Sequence, residues 1–495
     1  MPLHLYNSLS RQKELFEPLY SPHVGMYVCG PTVSGESHLG HARPYVFFDV
    51  VFRWLRHLGY QVRYVRNITD AGHFEEEDRP AEDKVAAKAK LERLEPMELV
   101  QKYTNLFHDA MGQLNNLPPS IEPTATGHII EQIGMIEEIL RKGWAYEVNG
   151  SVYFDVVRYA RQFDYGRLSG RKLDELIAGS RELEGQEEKR HPADFALWKK
   201  APPGHLMRWP SPWGEGFPGW HIECSAMATK YLGAPFDIHG GGMDLQFPHH
   251  ESEMAQTRIA TGHIPARYWM HNNMITVNGR KMGKSYNNTI TLRELFTGTH
   301  PLLEQAYSPM TVRFFILQAH YRSTLDFNND ALRAAEKGLQ RLMEALRLLQ
   351  RLELPQGGTE QASETDRKVG QLLDSCVQHM NDDFNTASTL AALFDIASYI
   401  FAWHHRQADV SEIRPVTLQE LQRRFPFYIT EILGLKPSEE LHADRLERIL
   451  HILIDLRNEA RRRRDFASAD RIRQQLLEVG IALKDEHDGT RWEWT

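Results

Sequence analysis

Four residues, far apart in the chain, have side chains that a soft metal ion prefers. They are Cys29, Cys224, His249 and Glu253. His249 and Glu253 are four positions apart, which places them on one face of a predicted helix. Two thiolates, an imidazole and a carboxylate form an acceptable ligand set for Zn²⁺. The spacing alone does not show that the four meet, and the alternative is that both cysteines are small buried apolar residues.

A second group lies at the start of a predicted helix, in the sequence His38-Leu39-Gly40-His41. The free N–H groups and partial positive charge of a helix N-terminus attract phosphate, and Gly40 leaves room for close approach. The imidazoles of His38 and His41 can then donate hydrogen bonds to phosphate oxygens. The alternative is a pair of solvated histidines in a turn. This loop has no Gly-x-Gly-x-x-Gly sequence, which argues against a dinucleotide cofactor.

The third group is the pair Lys281 and Lys284, in a loop that follows a strand-like run at 274–277. Two ammonium groups on a mobile loop can fold over the outer phosphates of a nucleotide and stabilise charge on departing pyrophosphate. Lysine-rich loops are usually only solvated. Together with the histidine pair, however, these lysines favour a nucleotide site.

Composition limits the classes of protein to which the chain can belong. Its 495 residues predict about three folding units. It has 58 Lys and Arg against 66 Asp and Glu, a net charge of −8, so a nucleic-acid partner requires a local basic patch. Three cysteines are too few for a disulfide framework. Because no apolar run reaches membrane-spanning length and no signal peptide is evident, we expect a cytoplasmic protein without a membrane partner.

The predicted elements around these residues form an α/β fold. A strand at 24–30, a helix along an apolar stripe and a strand at 61–68 form a βαβ unit, whose strands lie parallel. A strand at 235–239 that runs into a glycine turn at 240–242 starts the second half of the sheet. A helix at 249–261 follows.

The order of these elements predicts a Rossmann-type parallel sheet with an inserted subdomain, followed by an α-helical bundle and a small C-terminal domain. The expected bounds are 1–115 and 216–275 for the two halves of the catalytic domain, 116–215 for the inserted connective subdomain, 276–330 for the lysine-loop region, 331–435 for the bundle and 436–495 for the last domain. The helices expected after the sheet lie at 331–354, 366–405, 416–433 and 443–479, the last one broken near its arginines. The charged stretch 75–96 predicts a solvated surface helix.

Segments spread along the whole chain carry a family resemblance. They are 27–33, 38–41, 67–70, 211–214, 219–225, 237–245, 247–253, 281–285, 381–386 and 488–492. In these segments the chain resembles the cysteinyl-tRNA synthetases, a family of class I aminoacyl-tRNA synthetases. One position departs from the family pattern. Gly283 stands where the lysine loop usually has serine, which keeps both lysines but loosens the loop.

The resemblance implies one Zn²⁺ per chain, bound by Cys29, Cys224, His249 and Glu253, to which the thiolate of substrate cysteine adds. A soft-ligand preference separates cysteine from serine, which a pocket that selects by shape rejects poorly. Four protein ligands normally make a closed zinc site, so the thiolate must expand the coordination or displace a ligand, and we favour expansion. The residues implied to line the cysteine pocket are Cys29, Thr69, Trp220 and His239.

The resemblance also implies an order of events. The carboxylate of cysteine attacks the α-phosphorus of ATP, normally with Mg²⁺, while His38 and His41 stabilise the phosphoryl charge. Lys281 and Lys284 hold the departing pyrophosphate. Cysteine is then transferred from the adenylate to the 3′ end of tRNA(Cys). The residues implied to bind ATP are Gly40, Gly240, Gly241, Gly242, Asp244 and Lys284.

An arginine-rich C-terminal helix supplies the local basic patch that RNA requires. Its arginines are Arg457, Arg461, Arg462, Arg463, Arg464, Arg471 and Arg473. In the family this end reads the anticodon, and Trp492 offers a stacking surface. Without the resemblance, a solvated helix face is the alternative. We expect the protein to act as a monomer.

Two other functions stay open. A ligase that passes activated cysteine to an amino-sugar acceptor shares the zinc and nucleotide motifs, although that family lacks a long anticodon-binding half. An inactive relative that only binds RNA would not need the histidines, lysines and metal ligands, which are all present. Cysteine-dependent exchange of pyrophosphate into ATP, followed by transfer to tRNA, separates the three functions.

Overall fold

The structure is a computed structural model of the chain. It describes residues 2–71, 89, 94–171, 188–283, 286–353, 362–437, 439–486 and 489–494. The chain divides into two compact units, Met1–Lys436 and Pro437–Thr495. Each unit has its own apolar packing, with two large clusters of buried residues in the larger unit and a small one in the smaller unit.

Strands and helices alternate through the first part of the larger unit, and helices alone complete it. Its strands are β1 (His4–Asn7), β2 (Gln12–Leu15), β3 (His23–Val28), β4 (Gln61–Arg66), β5 (Ala145–Val148), β6 (Ser151–Phe154), β7 (Phe195–Lys200), β8 (Gly216–Pro218), β9 (Phe236–Gly242), β10 (Ala266–Asn272), β11 (Ile275–Val277), β12 (Arg280–Lys281) and β13 (Leu325–Phe327). Its helices are α1 (Leu39–His57), α2 (Pro96–Gln113), α3 (Ile129–Arg141), α4 (Val156–Gln162), α5 (Trp220–Leu232), α6 (Glu251–Thr261), α7 (Leu292–Thr297), α8 (Pro309–Leu317), α9 (Asn329–Gln350), α10 (Glu364–Asn381), α11 (Thr386–His404) and α12 (Pro415–Phe427). The predicted α/β class, with a helical C-terminal region, is confirmed.

A parallel sheet of four strands lies at the centre of this unit, in the spatial order β10-β9-β3-β4. From β3 the chain adds β4 on one side of the sheet, whereas β9 and β10 are added on the other. These two directions diverge between β3 and β9, and open parallel sheets bind their ligands at the carboxyl ends of the strands at such a point. The predicted Rossmann-type sheet is confirmed.

Helix α1 connects β3 to β4 and packs on the sheet. Its buried stripe includes Val46, Val50 and Trp54, at the spacing that places them on one face. The helix ends at His57, and Gly59 follows with a φ of +90°, which glycine adopts without strain. Because α1 begins after the loop that leaves β3, its first turn lies at the ligand-binding edge of the sheet.

A second sheet, antiparallel and ordered β5-β6-β7-β8, lies between β4 and β9 in the sequence. It shares an apolar core with α5 and α6, in which Phe154 and Trp198 pack with Ile222 of α5 and Ala255 of α6. Helix α5 also contacts β3 of the parallel sheet. These two helices are therefore held between the sheets, which fixes the direction of their remaining side chains.

One element near the carboxyl ends of these strands differs from the prediction, and another agrees with it. Residues 240–242 do not form a turn but complete β9, where they pair with 270–272 of β10. Small residues let the backbone pairing continue where neighbours stand too close for side chains. The helix predicted at 249–261 is confirmed, because a π-helical turn at Gln246–His250 continues directly into α6.

The helix predicted at 366–405 is two helices, α10 and α11. They are separated at Asp383 and Phe384, whose φ angles of +63° and +51° are incompatible with a continuous helix. The buried Asp383 carboxylate holds this break in place, because it accepts hydrogen bonds from Tyr321 Oη (2.7 Å) and Arg322 Nε (2.8 Å). Most of the surface helix predicted at 75–96 lies outside the described residues.

Helix α11 is the one helix among the described residues that is long and apolar enough to cross a membrane. Length and composition are weak criteria, because core helices of helical bundles also meet them. Half of α11 is buried, and it packs against α9 and α10.

The smaller unit contains α13 (Glu439–Arg462), α14 (Phe466–Glu478) and a hairpin of β14 (Ile481–Glu486) and β15 (Gly489–Trp494). The predicted helix break near the arginines is confirmed, because Arg464 has a φ of +62° and Asp465 caps α14. Arg457 differs from the prediction of a basic exposed face. It is buried, with Nη1 3.4 Å from Thr490 Oγ1.

A buried group of charges joins α1 to two loops of the larger unit. Asp49 Oδ2 accepts hydrogen bonds from Arg313 Nη2 (2.5 Å) and Arg53 Nε (2.8 Å), and all three residues are buried. Arg313 also donates to the carbonyl oxygens of Leu114 (2.8 Å) and Leu433 (2.7 Å). These hydrogen bonds offset the desolvation of the charges and connect the ends of α2 and the helical bundle to α1.

We expect Arg313→Ala to lower the stability of the larger unit by about 3 kcal/mol, because Asp49 loses its shortest ion pair in a buried place. The matched control is Arg347→Ala, which removes an exposed ion pair with Glu344 and should cost at most about 1 kcal/mol. Urea denaturation followed by circular dichroism measures both. Equal effects of the two substitutions would contradict the structural role of Arg313.

Candidate metal and nucleotide site

The four residues of the predicted ligand set meet at the carboxyl edge of the parallel sheet. Cys29 directly follows β3, Cys224 lies on the first turns of α5, His249 lies in the π-helical turn that leads into α6, and Glu253 lies on α6. All four are buried, and one donor atom from each lies within 4.8 Å of the donor atoms of the others. The structure therefore brings together residues that the sequence only suggested as partners.

The distances within this cluster suit a tetrahedral metal ion. The Sγ atoms of Cys29 and Cys224 are 3.9 Å apart. Two thiolates bound to one Zn²⁺ at about 2.3 Å, with tetrahedral angles, would be about 3.8 Å apart. Glu253 Oε1 lies 3.7 Å from Cys29 Sγ and 3.1 Å from His249 Nε2. The donor set, with two sulfur atoms, is one that Zn²⁺ accepts readily.

A layer of histidines that the sequence analysis missed as metal neighbours borders the cluster. His239 Nε2 lies 2.9 Å from Glu253 Oε2, and His250 Nε2 lies 3.3 Å from Cys29 Sγ. His250 Nδ1 is in turn 2.8 Å from His271 Nε2. Cys29, His239, His250 and Glu253 form a second possible ligand group that shares two residues with the first. His250 directly follows His249 in the sequence, and this adjacency was the one signal for its role. The i, i+4 spacing to Glu253 favoured His249 as the ligand.

The charges of the cluster depend on one another. Burial raises the pKa of Cys29, whereas the hydrogen bond from its thiol lowers the pKa of Cys224 to about 6. Burial alone would lower the pKa of His249, but Glu253 and Cys224 outweigh it and raise the pKa to about 10. Burial likewise opposes ionisation of Glu253, yet His239 and His249 hold its pKa well below the usual range. Because metal ligands must be deprotonated, binding an ion here would release protons.

Two of the residues predicted to line the cysteine pocket, Trp220 and His239, border the cluster. The Trp220 ring stacks on His249 with centroids 4.3 Å apart, and the His239 ring stacks on Trp269 at 4.4 Å. In the register of the sheet, Tyr27, His239 and Trp269 face one another across β3, β9 and β10. Aromatic groups therefore form one wall of the site.

Asn67 positions Thr69, and the sequence analysis gave it no role. Its Nδ2 donates to Thr69 Oγ1 (3.1 Å), and its Oδ1 accepts from the backbone N–H of Gly30 (2.8 Å) and lies 3.7 Å from Cys224 Sγ. A Cβ atom on Gly30 would lie only 1.5 Å from the carbonyl oxygen of Asn67, so no other residue fits there. The sequence feature that could have indicated this role is the position of Asn67 in the family segment 67–70.

The histidine pair lies at the start of α1, as predicted. The rings of His38 and His41 are stacked, with centroids 3.7 Å apart, and His38 is the residue that caps the helix. The backbone N–H of Leu39 donates to the carbonyl oxygen of Ile290 (3.1 Å), downstream of the lysine loop. A Cβ atom on Gly40 would lie 2.7 Å from Met282 Cε. The lysine loop therefore approaches the histidine motif closely.

The remaining predicted nucleotide residues fall in three places. Lys281 is exposed at the end of β12, and Lys284 lies outside the described residues. Asp244 is exposed just beyond β9, and a Cβ atom on Gly242 would lie 2.3 Å from its Oδ1.

The two preceding glycines of β9 are closely packed. A Cβ atom on Gly241 would lie 2.8 Å from the His250 ring, and one on Gly240 would lie 2.2 Å from the Phe48 ring. Packing alone therefore requires glycine at 240.

Family comparisons agree with this geometry. The family described as "tRNA synthetases class I (C) catalytic domain" matches residues 15–337, and the "DALR domain" matches residues 377–435. A cysteine–tRNA ligase from Porphyromonas gingivalis is 55% identical over 495 residues, with 99% of each chain covered. The chain belongs to the cysteine–tRNA ligases. The resemblance drawn from the sequence motifs is confirmed.

One further relative and two solved structures are also similar to this cysteine–tRNA ligase family member. The cysteine–tRNA ligase of Phocaeicola vulgatus is 57% identical, with 99% of each chain covered. Among solved structures, the Mycobacterium tuberculosis methionyl-tRNA synthetase in complex with methionyl-adenylate has a TM-score of 0.58 at 13% identity, covering 83% of this chain and 92% of its own. The Agrobacterium radiobacter LeuRS in a ternary complex with tRNA and LeuAMS has a TM-score of 0.57 at 13% identity, covering 84% and 85%. These two structures share the fold.

We expect Gly240→Ala to destabilise this cysteine–tRNA ligase family member by about 1–3 kcal/mol, because the new methyl group overlaps the buried Phe48 ring. Gly112→Ala is the control. Gly112 lies in α2, where a Cβ atom would have no described neighbour within 4 Å, and alanine should raise helix stability by up to about 1 kcal/mol. Thermal unfolding followed by circular dichroism compares the two variants. A neutral Gly240→Ala would show that Phe48 can move aside.

Proposed function

We propose that this chain activates L-cysteine with ATP to cysteinyl adenylate and transfers the cysteine to the 3′ end of tRNA(Cys). The observation that carries the proposal is the buried group of two thiols, an imidazole and a carboxylate at the carboxyl edge of the parallel sheet. This position is where a Rossmann-type sheet binds nucleotides and their substrates. Family membership supports the same function.

The proposal includes one Zn²⁺ held by Cys29, Cys224, His249 and Glu253. We choose this set over the overlapping one because two thiolates make the softer site, and because His239 and His250 then have the role of neighbours that orient ligands. When bound, the ion supplies a soft Lewis acid that accepts the thiolate of the substrate. Serine is a poor ligand for such an ion, so the site can select by atom type.

The protein groups around the ion hold its ligands in place. His239 lies against the Glu253 oxygen that faces away from His249, and His250 lies against Cys29. Trp220 covers the His249 ring. With both faces of the cluster packed in this way, the ligands need little rearrangement when a substrate arrives.

The nucleotide half of the proposed site consists of the start of α1 and the glycine end of β9. His38 and His41 would donate to the phosphate oxygens while the cysteine carboxylate attacks the α-phosphorus. Lys281 and Lys284 would hold the pyrophosphate with Mg²⁺. The glycines at 240–242 with Asp244 would contact the adenosine, and Gly40 would leave space beneath the phosphates.

For the tRNA we propose the second half of the chain. The bundle at 331–435 would contact the tRNA body, 276–330 its acceptor stem, and the unit at 436–495 its anticodon. Exposed arginines on the smaller unit support the last assignment; they are Arg461, Arg462, Arg463, Arg464, Arg471 and Arg473. Trp492 is half-buried in the small core, so only part of its ring can stack on a base.

The proposal also takes the working unit to be a single chain in the cytoplasm. All the residues assigned above come from one chain, so the site needs no second copy. The inserted connective region at 116–215 and the two catalytic segments at 1–115 and 216–275 would form the rest of the enzyme.

Two linked assays test the function. We expect L-cysteine, but not L-serine, to drive exchange of labelled pyrophosphate into ATP, and labelled cysteine to appear on tRNA(Cys) afterwards. Exchange without transfer to tRNA would favour a ligase with an amino-sugar acceptor. Absence of both reactions would favour an inactive RNA-binding protein.

We expect Cys224→Ser to lower the zinc content of the purified protein from about one equivalent to below about a tenth, because a hard hydroxyl replaces a thiolate ligand. The matched control is Cys376→Ser, since Cys376 is buried in the bundle and burial raises its pKa to about 12. This control should retain its zinc. Metal analysis by inductively coupled plasma mass spectrometry measures both, and equal zinc in the two variants would contradict the ligand assignment.

A further inference from the structure

The side chain of Glu223 is buried in the wall of the proposed cysteine pocket without an ion-pair partner among the described residues. It is 1% exposed, and neither of its carboxylate oxygens has a donor at full hydrogen-bond geometry, although the Thr69 hydroxyl lies close by. A buried carboxylate normally has its oxygens satisfied by donors, because an unsatisfied one is costly. The exception therefore needs an explanation, and functional sites are where such exceptions concentrate.

The position of Glu223 relates it to the substrate. It precedes Cys224 on α5 and follows Trp220 by three residues, so it shares a face of the helix with Trp220. It interacts electrostatically with Cys224, Asp70 and His249, and the Thr69 hydroxyl lies near its carboxylate. Three of these residues are also placed in the proposed cysteine and metal site.

The surroundings of Glu223 lack a matching cation. Asp70 is a second buried carboxylate, and it already accepts hydrogen bonds from the backbone N–H and the hydroxyl of Thr126. His249 is committed to Glu253 at 3.1 Å and to His221 at 3.0 Å. No lysine or arginine forms an ion pair with Glu223 in the described part of the chain. An incoming cation would therefore meet two buried carboxyl groups and would stabilise their ionised forms.

We infer that Glu223 binds the α-ammonium group of substrate cysteine, an inference that rests on the proposed function. In cysteine the ammonium nitrogen lies roughly 3–4 Å from the sulfur, whichever staggered rotamer is adopted. A thiolate placed among Cys29, Cys224 and the metal therefore keeps the ammonium close to this cluster, and the Glu223 carboxylate, which interacts with Cys224, His249 and Thr69, lies on the same side of it. A carboxylate and an ammonium form a charge-assisted hydrogen bond, which is about twice as strong as a neutral one.

This role would complete the recognition of the amino acid. The metal would recognise the sulfur atom of the substrate side chain, and Glu223 would recognise the positively charged α-ammonium group. A thiol without an ammonium group, such as a simple mercaptan, would satisfy only the first test. Glu223 is thus a positioning and specificity residue, which orients the carboxylate of cysteine toward ATP.

The test compares L-cysteine with 3-mercaptopropionate, which has the thiol and carboxylate of cysteine but no ammonium group. In Glu223→Gln we expect the KM for L-cysteine in pyrophosphate exchange to rise about 10- to 100-fold, the value of one charged hydrogen bond. The inhibition constant of 3-mercaptopropionate and the zinc content should stay within a factor of about two, since neither involves the ammonium. Glu223→Asp should show the same pattern to a smaller degree, and it serves if the glutamine variant fails to fold.

The control variant is Glu251→Gln, which neutralises a buried glutamate on α6 that accepts a hydrogen bond from Ser169. It should leave the KM for L-cysteine within a factor of about two. An unchanged KM in both Glu223 variants would overturn the inference. An increase in the inhibition constant of 3-mercaptopropionate as large as the increase in KM for L-cysteine would also overturn it, because it would indicate a structural role. If the unaltered protein shows no cysteine-dependent exchange, the proposed function itself fails, and binding of the two thiols measured by calorimetry then decides on Glu223.

Discussion

The site depends on the pairing of two parallel strands, β3 and β9. The register between them ends at Val28 and Gly240, and the backbone N–H of Cys29 then donates to the carbonyl oxygen of Gly240 at 3.1 Å. This one hydrogen bond extends the sheet by a step and places the Cys29 thiol at the point where the chain turns away. Cys224 and Glu253 can meet it there because α5 and α6 are held between two sheets. A shift of either helix would separate the ligands.

Polar side chains buried this densely are costly unless they satisfy one another or bind an ion. Here the histidine layer does much of this, because His239 and His250 each contact a member of the cluster, and His271 Nδ1 in turn lies 2.8 Å from Ser8 Oγ. The chain of contacts thus runs from the cluster to the N-terminal segment. A network of this kind specifies one arrangement of its members, which is what selection between sulfur and oxygen requires.

The sequence was informative where a pattern is local. The i, i+4 spacing of His249 and Glu253, the apolar stripe of α1 and the strand-helix-strand order all predicted what is observed. It was less informative where the outcome depends on neighbours from elsewhere in the chain. The glycines at 240–242 were predicted to form a turn, but cross-strand pairing with β10 extends them. Likewise, the helix break at Asp383 depends on hydrogen bonds from Tyr321, which no local pattern reveals.

The same distinction applies within the site. The ligand set followed from residue types, yet His250 and Asn67 act through contacts with residues distant in sequence. The hydrogen bond from the backbone N–H of Gly30 to Asn67 Oδ1 joins the loops that follow β3 and β4. Residue type alone could not show that Glu223 lies buried in the pocket without an ion pair among the described residues, since glutamate on a helix is usually solvated.

The cross-strand row of Tyr27, His239 and Trp269 limits where insertions in the sequence can be tolerated. Successive residues of a strand face opposite sides of the sheet, so a slip of β9 by a single residue would exchange His239 for a glycine and turn its imidazole away from Glu253. Lengthening the loops that precede β9 would leave this alignment intact, whereas an insertion inside the strand would not. Backbone pairing is therefore itself a determinant of which amino acid the site accepts.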